Sequence, residues 1–219
     1  MSYEFVKFVL IYILSNFEII KKNKMELNLD LNKRYTFADY YTWADEKRRE
    51  LFDGFIKMMT PAPNRIHQQI SKRLNFKIQY YLQNKKCEVY YAPFDVRLPN
   101  NGEKSDDKIY TVVQPDICII CDLSKLDERG CLGSPDMIIE IVSPSNSKHD
   151  VEDKFELYQK HGVREYWIVF PYEKTINVFL LNSSGKYELV GMFAENSKVQ
   201  VNIFEGDLFI DLAEIFIEI

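Results

Sequence analysis

The pattern of apolar and polar positions is most regular in residues 112–170, where short runs of Ile and Val alternate with polar turns. Short apolar runs bounded by turn residues predict buried strands. Apolar residues at helical spacing, an acidic first turn and a glycine after the last turn predict a helix. This stretch therefore predicts, in order, strands Val112–Ile120 and Met137–Val142, a loop Ser143–Ser147, a helix Asp150–His161 capped by Gly162, and a strand Val163–Phe170.

The flanking sequence predicts helices and hairpins separated by turn residues. Its predicted elements are a helix Tyr35–Lys47 starting near Thr36, a hairpin Glu50–Met59 around Asp53-Gly54, an amphipathic helix Arg65–Asn84, a strand pair Glu88–Leu98 interrupted at Pro93, a hairpin of Ile176–Leu181 with Tyr187–Val190, and a strand with a short final helix in Val199–Ile219. Together these elements predict an α/β (α+β) fold in which one mixed sheet is flanked by helices 65–84 and 150–161.

Two of the predicted buried strands each carry one carboxylate. Asp116 lies in the first, and Glu140 lies in the second between pairs of apolar residues. A buried carboxylate is costly unless it is paired or binds a cation. Carboxylates in consecutive strands therefore predict a shared site.

Lys154 is the third residue of this predicted site. At about 100° per residue, it falls inside the apolar arc that Val151, Phe155, Leu157 and Tyr158 define on the helix. A lysine that faces a core needs an acidic partner, and the two strand carboxylates are the nearest candidates. Ordinary alternatives stay open, because Lys154 can extend its amine to water and Asp116 can cap a turn after a proline.

The order of Pro-Asp, a second carboxylate on the next strand and a lysine resembles the PD-(D/E)XK nuclease superfamily. Over roughly residues 35–181, the sequence resembles one branch of that superfamily, the Uma-two (Uma2) family of restriction-endonuclease-like proteins. Two positions depart from that pattern: Val142 stands where the lysine is usual, and Phe170 stands where an Asp is expected. The matching segments are Glu50–Gly54, His67, Gln114-Pro115-Asp116, Pro135-Asp136, Glu140–Ser145, Asp150, Lys154, Tyr158 and Gly162–Trp167.

The resemblance implies a restriction-endonuclease-like core and a nuclease that uses Mg²⁺ or Mn²⁺ on DNA, and it is compatible with a homodimer. It implies that Asp116 and Glu140 hold the metal and that Lys154, displaced to the following helix, completes a catalytic triad. Glu50 and His67 are supporting candidates.

The overall charge is −5 and the pI is about 5.4, which weakens the nuclease interpretation because proteins that bind nucleic acid non-specifically are usually basic. A local basic face can still bind phosphate. Lys72, Arg73 and Lys77 lie on one side of the predicted helix 65–84, as either a solvated charged face or a phosphate-contacting one.

Four cysteines, Cys87, Cys118, Cys121 and Cys131, allow two interpretations. Cys118 and Cys121 have the spacing of a zinc pair, but they alternate to opposite faces of a strand and no second pair follows at zinc-finger distance. Buried free thiols in a reducing cytoplasm are the favoured interpretation.

Residues 1–24 lie outside the recognisable pattern. The apolar run Phe8–Leu14 is too short to span a bilayer, so no membrane association is expected. A start at Met25, an added amphipathic helix and a weak signal sequence remain alternatives. The expected organisation is an N-terminal extension, 1–24, followed by a single nuclease-like domain, 25–219.

Two functions compete with the metal-dependent nuclease. One is a catalytically silent module that binds nucleic acid or protein on the same fold, which the acidic charge and the displaced lysine favour. The other is a glycosidase using Asp116 and Glu140 as its acid and base, in which an inward lysine has no natural role.

Overall fold

Two six-stranded sheets and one two-stranded hairpin form the frame of the computed structural model, which describes residues 27–45, 47–59, 63–143 and 148–218. The helices are α1 Phe37–Tyr40, α2 Arg65–Leu82, α3 Lys148–Lys160 and α4 Leu212–Ile215. The strands are β1 Arg49–Phe52, β2 Phe55–Met58, β3 Glu88–Tyr91, β4 Val96–Arg97, β5 Val112–Val113, β6 Ile117–Ile120, β7 Leu126–Asp127, β8 Gly130–Leu132, β9 Met137–Ile141, β10 Glu165–Phe170, β11 Thr175–Leu181, β12 Tyr187–Ala194, β13 Lys198–Gln200 and β14 Phe209–Asp211.

The second six-stranded sheet carries the predicted site. Its order is β12-β11-β10-β9-β6-β3, with β9 and β10 parallel and joined through α3. The other neighbours in this sheet are antiparallel. The first sheet has the order β2-β1-β5-β4-β8-β7.

The predicted mixed sheet flanked by helices is confirmed, and a second mixed sheet accompanies it, because the predicted strand Val112–Ile120 divides between the two. Val112 and Val113 pair in the first sheet, while Ile117–Ile120 pairs in the second. Pro115 lies between the two pieces and has no N–H to give to a ladder. The break places Asp116 where the chain passes from one sheet to the other.

Alternation along the second sheet separates two cores. Ile117, Ile119, Ile139 and Trp167 share one cluster with the buried face of α2. The neighbouring positions Cys118, Ile120, Ile138 and Tyr166 share another with Leu157 and Tyr158 of α3 and with strands of the first sheet. The sheet is therefore covered on both faces, which explains its nearly continuous Ile and Val content.

Local sequence signals explain several element boundaries. Asp53 and Gly54 both have positive φ, 48° and 91°, as a two-residue type I′ hairpin turn requires, so the predicted hairpin is confirmed. Gly162 follows α3 with φ 79° and acts as the predicted C-cap. Helix α2 starts at the predicted residue and ends two residues early.

The predicted helix Tyr35–Lys47 is wrong in length, since only Phe37–Tyr40 is helical. Thr36 does cap it, through a reciprocal capping box with Asp39. Beyond Tyr40 the chain turns, so that Trp43 meets the ring of Tyr35 edge-on at 5.3 Å between centroids. Aromatic packing outweighs helix propensity here.

The prediction of four free thiols is also wrong. Cys87 and Cys121 form a disulfide, and only Cys118 and Cys131 remain as buried thiols. Glu88 of β3 pairs with Ile120 of β6, so the next positions outward, Cys87 and Cys121, stand opposite one another with Cα atoms 4.0 Å apart. Their separation of 34 residues gives no hint of this strand register.

In the described part of the chain, no helix combines the length and apolar character that crossing a bilayer requires. The apolar run Phe8–Leu14 and the rest of the extension lie outside the described residues.

Candidate active site

Glu140 lies in β9, at the middle of the second sheet. Ile139 and Ile141 on either side of it join the core under α2, so Glu140 points to the opposite face, towards α3. Its side chain is only 12% exposed. The sequence thus forces this carboxylate into an apolar layer where it needs partners.

Helix α3 supplies two of these partners from positions one turn apart. The Nζ atom of Lys154 donates to Oε1 of Glu140 at 3.0 Å, and the hydroxyl of Tyr158 donates to the same oxygen at 2.6 Å. Residues at i and i+4 share one helix face, which here packs on the sheet. The Lys154 side chain is 9% exposed, so its ammonium group does not extend into solvent.

Glu50 of β1 brings the first sheet into the same cluster. Its Oε1 lies 3.3 Å from Nζ of Lys154 and accepts a hydrogen bond from the backbone N–H of Gln114 at 2.9 Å. The Gln114 side chain is held in turn by Arg48 and Asp95. Glu50 is therefore fixed where the chain crosses between the sheets.

Asp116 is held by β9 and by the start of α2. Its Oδ2 accepts the backbone N–H of Ile141 at 2.8 Å, and Nε2 of His67 lies 3.1 Å from the same oxygen. His67 occupies the first turn of α2, which begins with Asn64 as N-cap. Nδ1 of His67 is buried and has no hydrogen-bond partner among the described residues, so the contact through Nε2 fixes the ring.

Burial sets the electrostatics of the cluster. Burial raises the pKa of Glu140 to about 7, with the carboxylates of Asp116 and Glu50 acting in the same direction and Lys154 opposing them. Burial alone would lower the pKa of Lys154. The carboxylates of Glu140, Glu50 and Asp116 outweigh that effect and hold this pKa well above its usual value. Lys154 is therefore a permanent cation at neutral pH.

The structure brings all five site residues predicted from the sequence into one group, the Glu140 cluster: Glu50, His67, Asp116, Glu140 and Lys154. Sequence reasoning missed Tyr158 and Gln114 as members of the site. Both lie in the segments that resemble the Uma-two family, but Tyr158 was interpreted as an apolar residue and the backbone role of Gln114 has no side-chain signal. This geometry brings the residues together, and their catalytic roles stay a prediction.

The oxygens of the cluster suit a hard divalent cation. Oδ1 of Asp116 and Oε2 of Glu140 make no hydrogen bond to another described residue, so both remain available as anionic ligands. Within the ranges the structure describes, no three or more His, Cys, Asp or Glu side chains form a metal-binding group. A cation held by these two carboxylate oxygens would keep most of its water shell, as Mg²⁺ commonly does.

A family model described as "Putative restriction endonuclease", Uma2, matches residues 37–213, which include every residue of the cluster. The chain belongs to the Uma2 family. A protein named "Uncharacterized protein slr1290" from Synechocystis sp. is 25% identical over 161 residues, covering 72% of this chain and 80% of that protein.

A solved structure also resembles this Uma2 protein. It is titled a putative nuclease belonging to DUF820 from Anabaena variabilis, with a TM-score of 0.65 and 21% identity over 83% of this chain and 97% of the other. At this identity the likeness concerns the fold. It confirms the predicted α/β (α+β) fold class.

Proposed function

We propose that this Uma2 protein is an endonuclease that hydrolyses phosphodiester bonds of DNA with Mg²⁺ or Mn²⁺ as its cofactor. The observation that supports the proposal most strongly is the buried contact of the Lys154 ammonium with Glu140 and Glu50, beside Asp116. Two carboxylates that can hold a metal and one permanent cation, fixed in an apolar layer, suit metal-assisted hydrolysis of a phosphodiester.

Asp116 and Glu140 would hold the cation. A divalent metal at such a site polarises a phosphate oxygen and lowers the pKa of a bound water molecule. The protein's task is then to fix the direction of both carboxylates. His67 and the N–H of Ile141 fix Asp116, while the hydroxyl of Tyr158 fixes Glu140.

Lys154 has an electrostatic role in this proposal. Its raised pKa keeps it protonated, so it does not accept a proton from water. It orients the attacking water by donating a hydrogen bond and offsets negative charge that develops on the phosphate. Glu50 shares this lysine with Glu140 and so restrains the direction of the ammonium group.

The rival non-enzymatic module is favoured by the overall charge of −5 and by the limited number of ligands that the described side chains offer. The glycosidase alternative, in which Asp116 and Glu140 are the acid and the base, is disfavoured because the ammonium of Lys154 donates to Glu140 and has no natural role in that reaction. A cleavage assay therefore distinguishes the nuclease from the silent module.

The test is incubation of the full-length protein with supercoiled plasmid and with labelled single- and double-stranded oligonucleotides, in Mg²⁺, Mn²⁺ or EDTA. We expect metal-dependent cleavage that Asp116→Asn and Glu140→Gln abolish. Glu173→Gln, which changes an exposed acid, is the matched control and should cut like the parent. Cleavage that survives both site variants, or folded protein that cuts no substrate in either metal, would contradict the proposal.

A further inference from the structure

Helix α2 and the turn after it form an unusually basic segment in an acidic protein. Residues 63–87 contain six basic residues and no Asp or Glu, although the whole chain has a net charge of −5. The six are Arg65, Lys72, Arg73, Lys77, Lys85 and Lys86. Such concentration on one segment creates a local positive field despite the overall charge.

Two of these basic side chains form hydrogen bonds or ion pairs within the protein. Arg73 donates to the backbone carbonyls of Ile215 and Ile217, both at 2.8 Å, and Lys77 pairs with Glu214. These two residues attach α2 to the C-terminal segment. By contrast, Arg65 and Lys72 are exposed and form no ion pair with another described residue.

Large aromatic rings lie exposed beside these charges. Phe76 and Tyr80 are 63% and 68% exposed and stack one turn apart on the outer side of α2, with centroids 6.3 Å apart. Tyr91 of β3 is 60% exposed. A shallow depression of about 570 Å³ runs between the helix and this strand, and its lining includes Lys72, Phe76 and Tyr91.

The two elements that wall this depression, α2 and β3, also lead to contacts with Asp116 of the candidate active site. His67, in the first turn of α2, contacts Asp116. On the other wall, Tyr91 is followed by Ala92, whose N–H donates to the backbone carbonyl of Asp116 at 3.1 Å. A chain lying along the depression would therefore run towards Asp116, on the α2 side of the Glu140 cluster.

We propose that the aromatic–basic face, made of Arg65, Lys72, Phe76, Tyr80 and Tyr91, binds single-stranded DNA and leads it to the Glu140 cluster. The inference rests on the proposed nuclease function and specifies its substrate as DNA with an unpaired segment. Aromatic rings on a basic track bind single strands because every unpaired base offers a face for stacking, while lysine and arginine contact the phosphates. Bases within a duplex are already stacked and cannot use exposed rings in this way.

The positive charge of the aromatic–basic face favours DNA over a second copy of the chain as its binding partner. In a two-fold dimer built on this face, each basic segment would meet its own counterpart, and like charges facing one another oppose association. The phosphates of nucleic acid complement the same surface.

The experiment measures binding separately from cleavage. Fluorescence anisotropy follows a labelled single-stranded oligonucleotide and its duplex, in EDTA, with full-length Glu140→Gln protein as the background. We expect the single strand to bind more tightly. Phe76→Ala combined with Tyr80→Ala should weaken single-strand binding at least tenfold. Lys72→Gln should reduce the slope of log affinity against log salt by about 0.7, the value for one phosphate contact on a single strand.

Control variants on the opposite edge of the sheet sharpen the result. Met192→Ala and Lys186→Gln change exposed residues on or beside β12, while the proposed face adjoins β3 at the other edge. They should bind like the background protein. Single-strand affinity unchanged by Phe76→Ala with Tyr80→Ala would overturn the inference, as would a dimer seen by sedimentation that those substitutions dissociate without changing DNA affinity.

The results of the binding and cleavage experiments distinguish a failure of this inference from a failure of the proposed nuclease function. If the parent cuts DNA but the α2 variants bind and cut normally, the inference fails and the nuclease stands. If no variant or parent cuts DNA but the face binds single strands as expected, the nuclease fails while the binding assignment holds.

Discussion

At the scale of single residues, the candidate site contains one buried cation among three carboxylates. Lys154 contacts Glu140 and Glu50 directly and lies near enough to Asp116 for that carboxylate to raise its pKa. Breaking a buried ion pair by removing one partner typically costs about 3–5 kcal/mol, because a charge remains without compensation. The same residue therefore matters to stability and, in the proposal, to cleavage.

Lys154→Met keeps the apolar stem of the side chain and removes the charge. We expect DNA cleavage to fall about 10²–10³-fold, the usual effect of deleting one preorganised electrostatic contact. The metal-free variant should unfold at lower temperature than the parent, and Mn²⁺ should restore part of that loss by neutralising the carboxylates. Single-turnover cleavage and thermal unfolding with and without Mn²⁺ measure these effects.

Lys160→Met is the matched control, because Lys160 lies on the same helix with its side chain exposed. It should cut and unfold like the parent. A Lys154→Met protein that cuts as fast as the parent would remove Lys154 from the catalytic assignment.

The raised pKa of Glu140 predicts how stability depends on pH. Its folded-state value is about 7 and its ordinary value 4.5, so the folded protein holds this proton more tightly than the unfolded chain. The resulting stabilisation is fully present below about pH 4.5 and is lost as pH rises through about 7, with a total on the order of 3 kcal/mol. Urea unfolding of metal-free parent and Glu140→Gln from pH 4 to 9 tests it.

Glu140→Gln cannot titrate at this position, so its stability should increase relative to the parent as pH rises over that range. Titrating groups that do not contact Glu140 contribute equally to both proteins and cancel in the comparison. Parallel curves for the two proteins would show that Glu140 ionises normally.

At the scale of secondary structure elements, local signals identified most helices and hairpins. Helix α2, the Asp53-Gly54 hairpin and the Gly162 cap follow from residues within one turn of each boundary. The convergence of Glu140 with Lys154 was also predictable, since alternation in a strand and spacing in a helix fix which side chains face each other.

Other features depend on long-range register, which periodicity along the chain does not contain. The passage of the chain between sheets at Gln114–Asp116 depends on how β5 and β6 find partners far away in sequence. The pairing of Cys87 with Cys121 follows from the register of β3 against β6. Contacts made through a backbone N–H, such as that from Gln114 to Glu50, have no residue-type signal at all.

The disulfide offers a prediction at this scale, because it closes a loop of 34 residues that contains Asp116. In the chain-entropy account, a cross-link of this span stabilises the fold by roughly 3–4 kcal/mol. Replacing both Cys87 and Cys121 with Ser should lower the free energy of unfolding by about that amount under non-reducing conditions.

Thiol titration of the denatured parent supplies the control. Two thiols should react without reductant and four with it, since two of the four cysteines are bonded. Four reactive thiols without reductant would contradict the disulfide. Disulfides of this kind are rare in a reducing cytoplasm. The cytoplasmic location that the sequence suggested stays an untested prediction.

At the scale of the whole molecule, charge is divided between two surfaces with different tasks. The Glu140 cluster collects carboxylates between the two sheets, while α2 collects basic residues on the outside of the second sheet. Asp116 connects them through His67, at the start of α2. The overall charge of −5 therefore describes neither surface.

Asp116 and Glu140 are proposed to hold a divalent cation, and calorimetric titration of Mn²⁺ into the full-length protein measures that binding. Both Asp116→Asn and Glu140→Gln remove one anionic oxygen with almost no change in volume. We predict that the parent and the Glu173→Gln control bind one ion at neutral pH and that each site variant loses at least 90% of that affinity, about 1.4 kcal/mol or more. Equal Mn²⁺ affinity in the parent and both site variants would show that the metal site lies elsewhere.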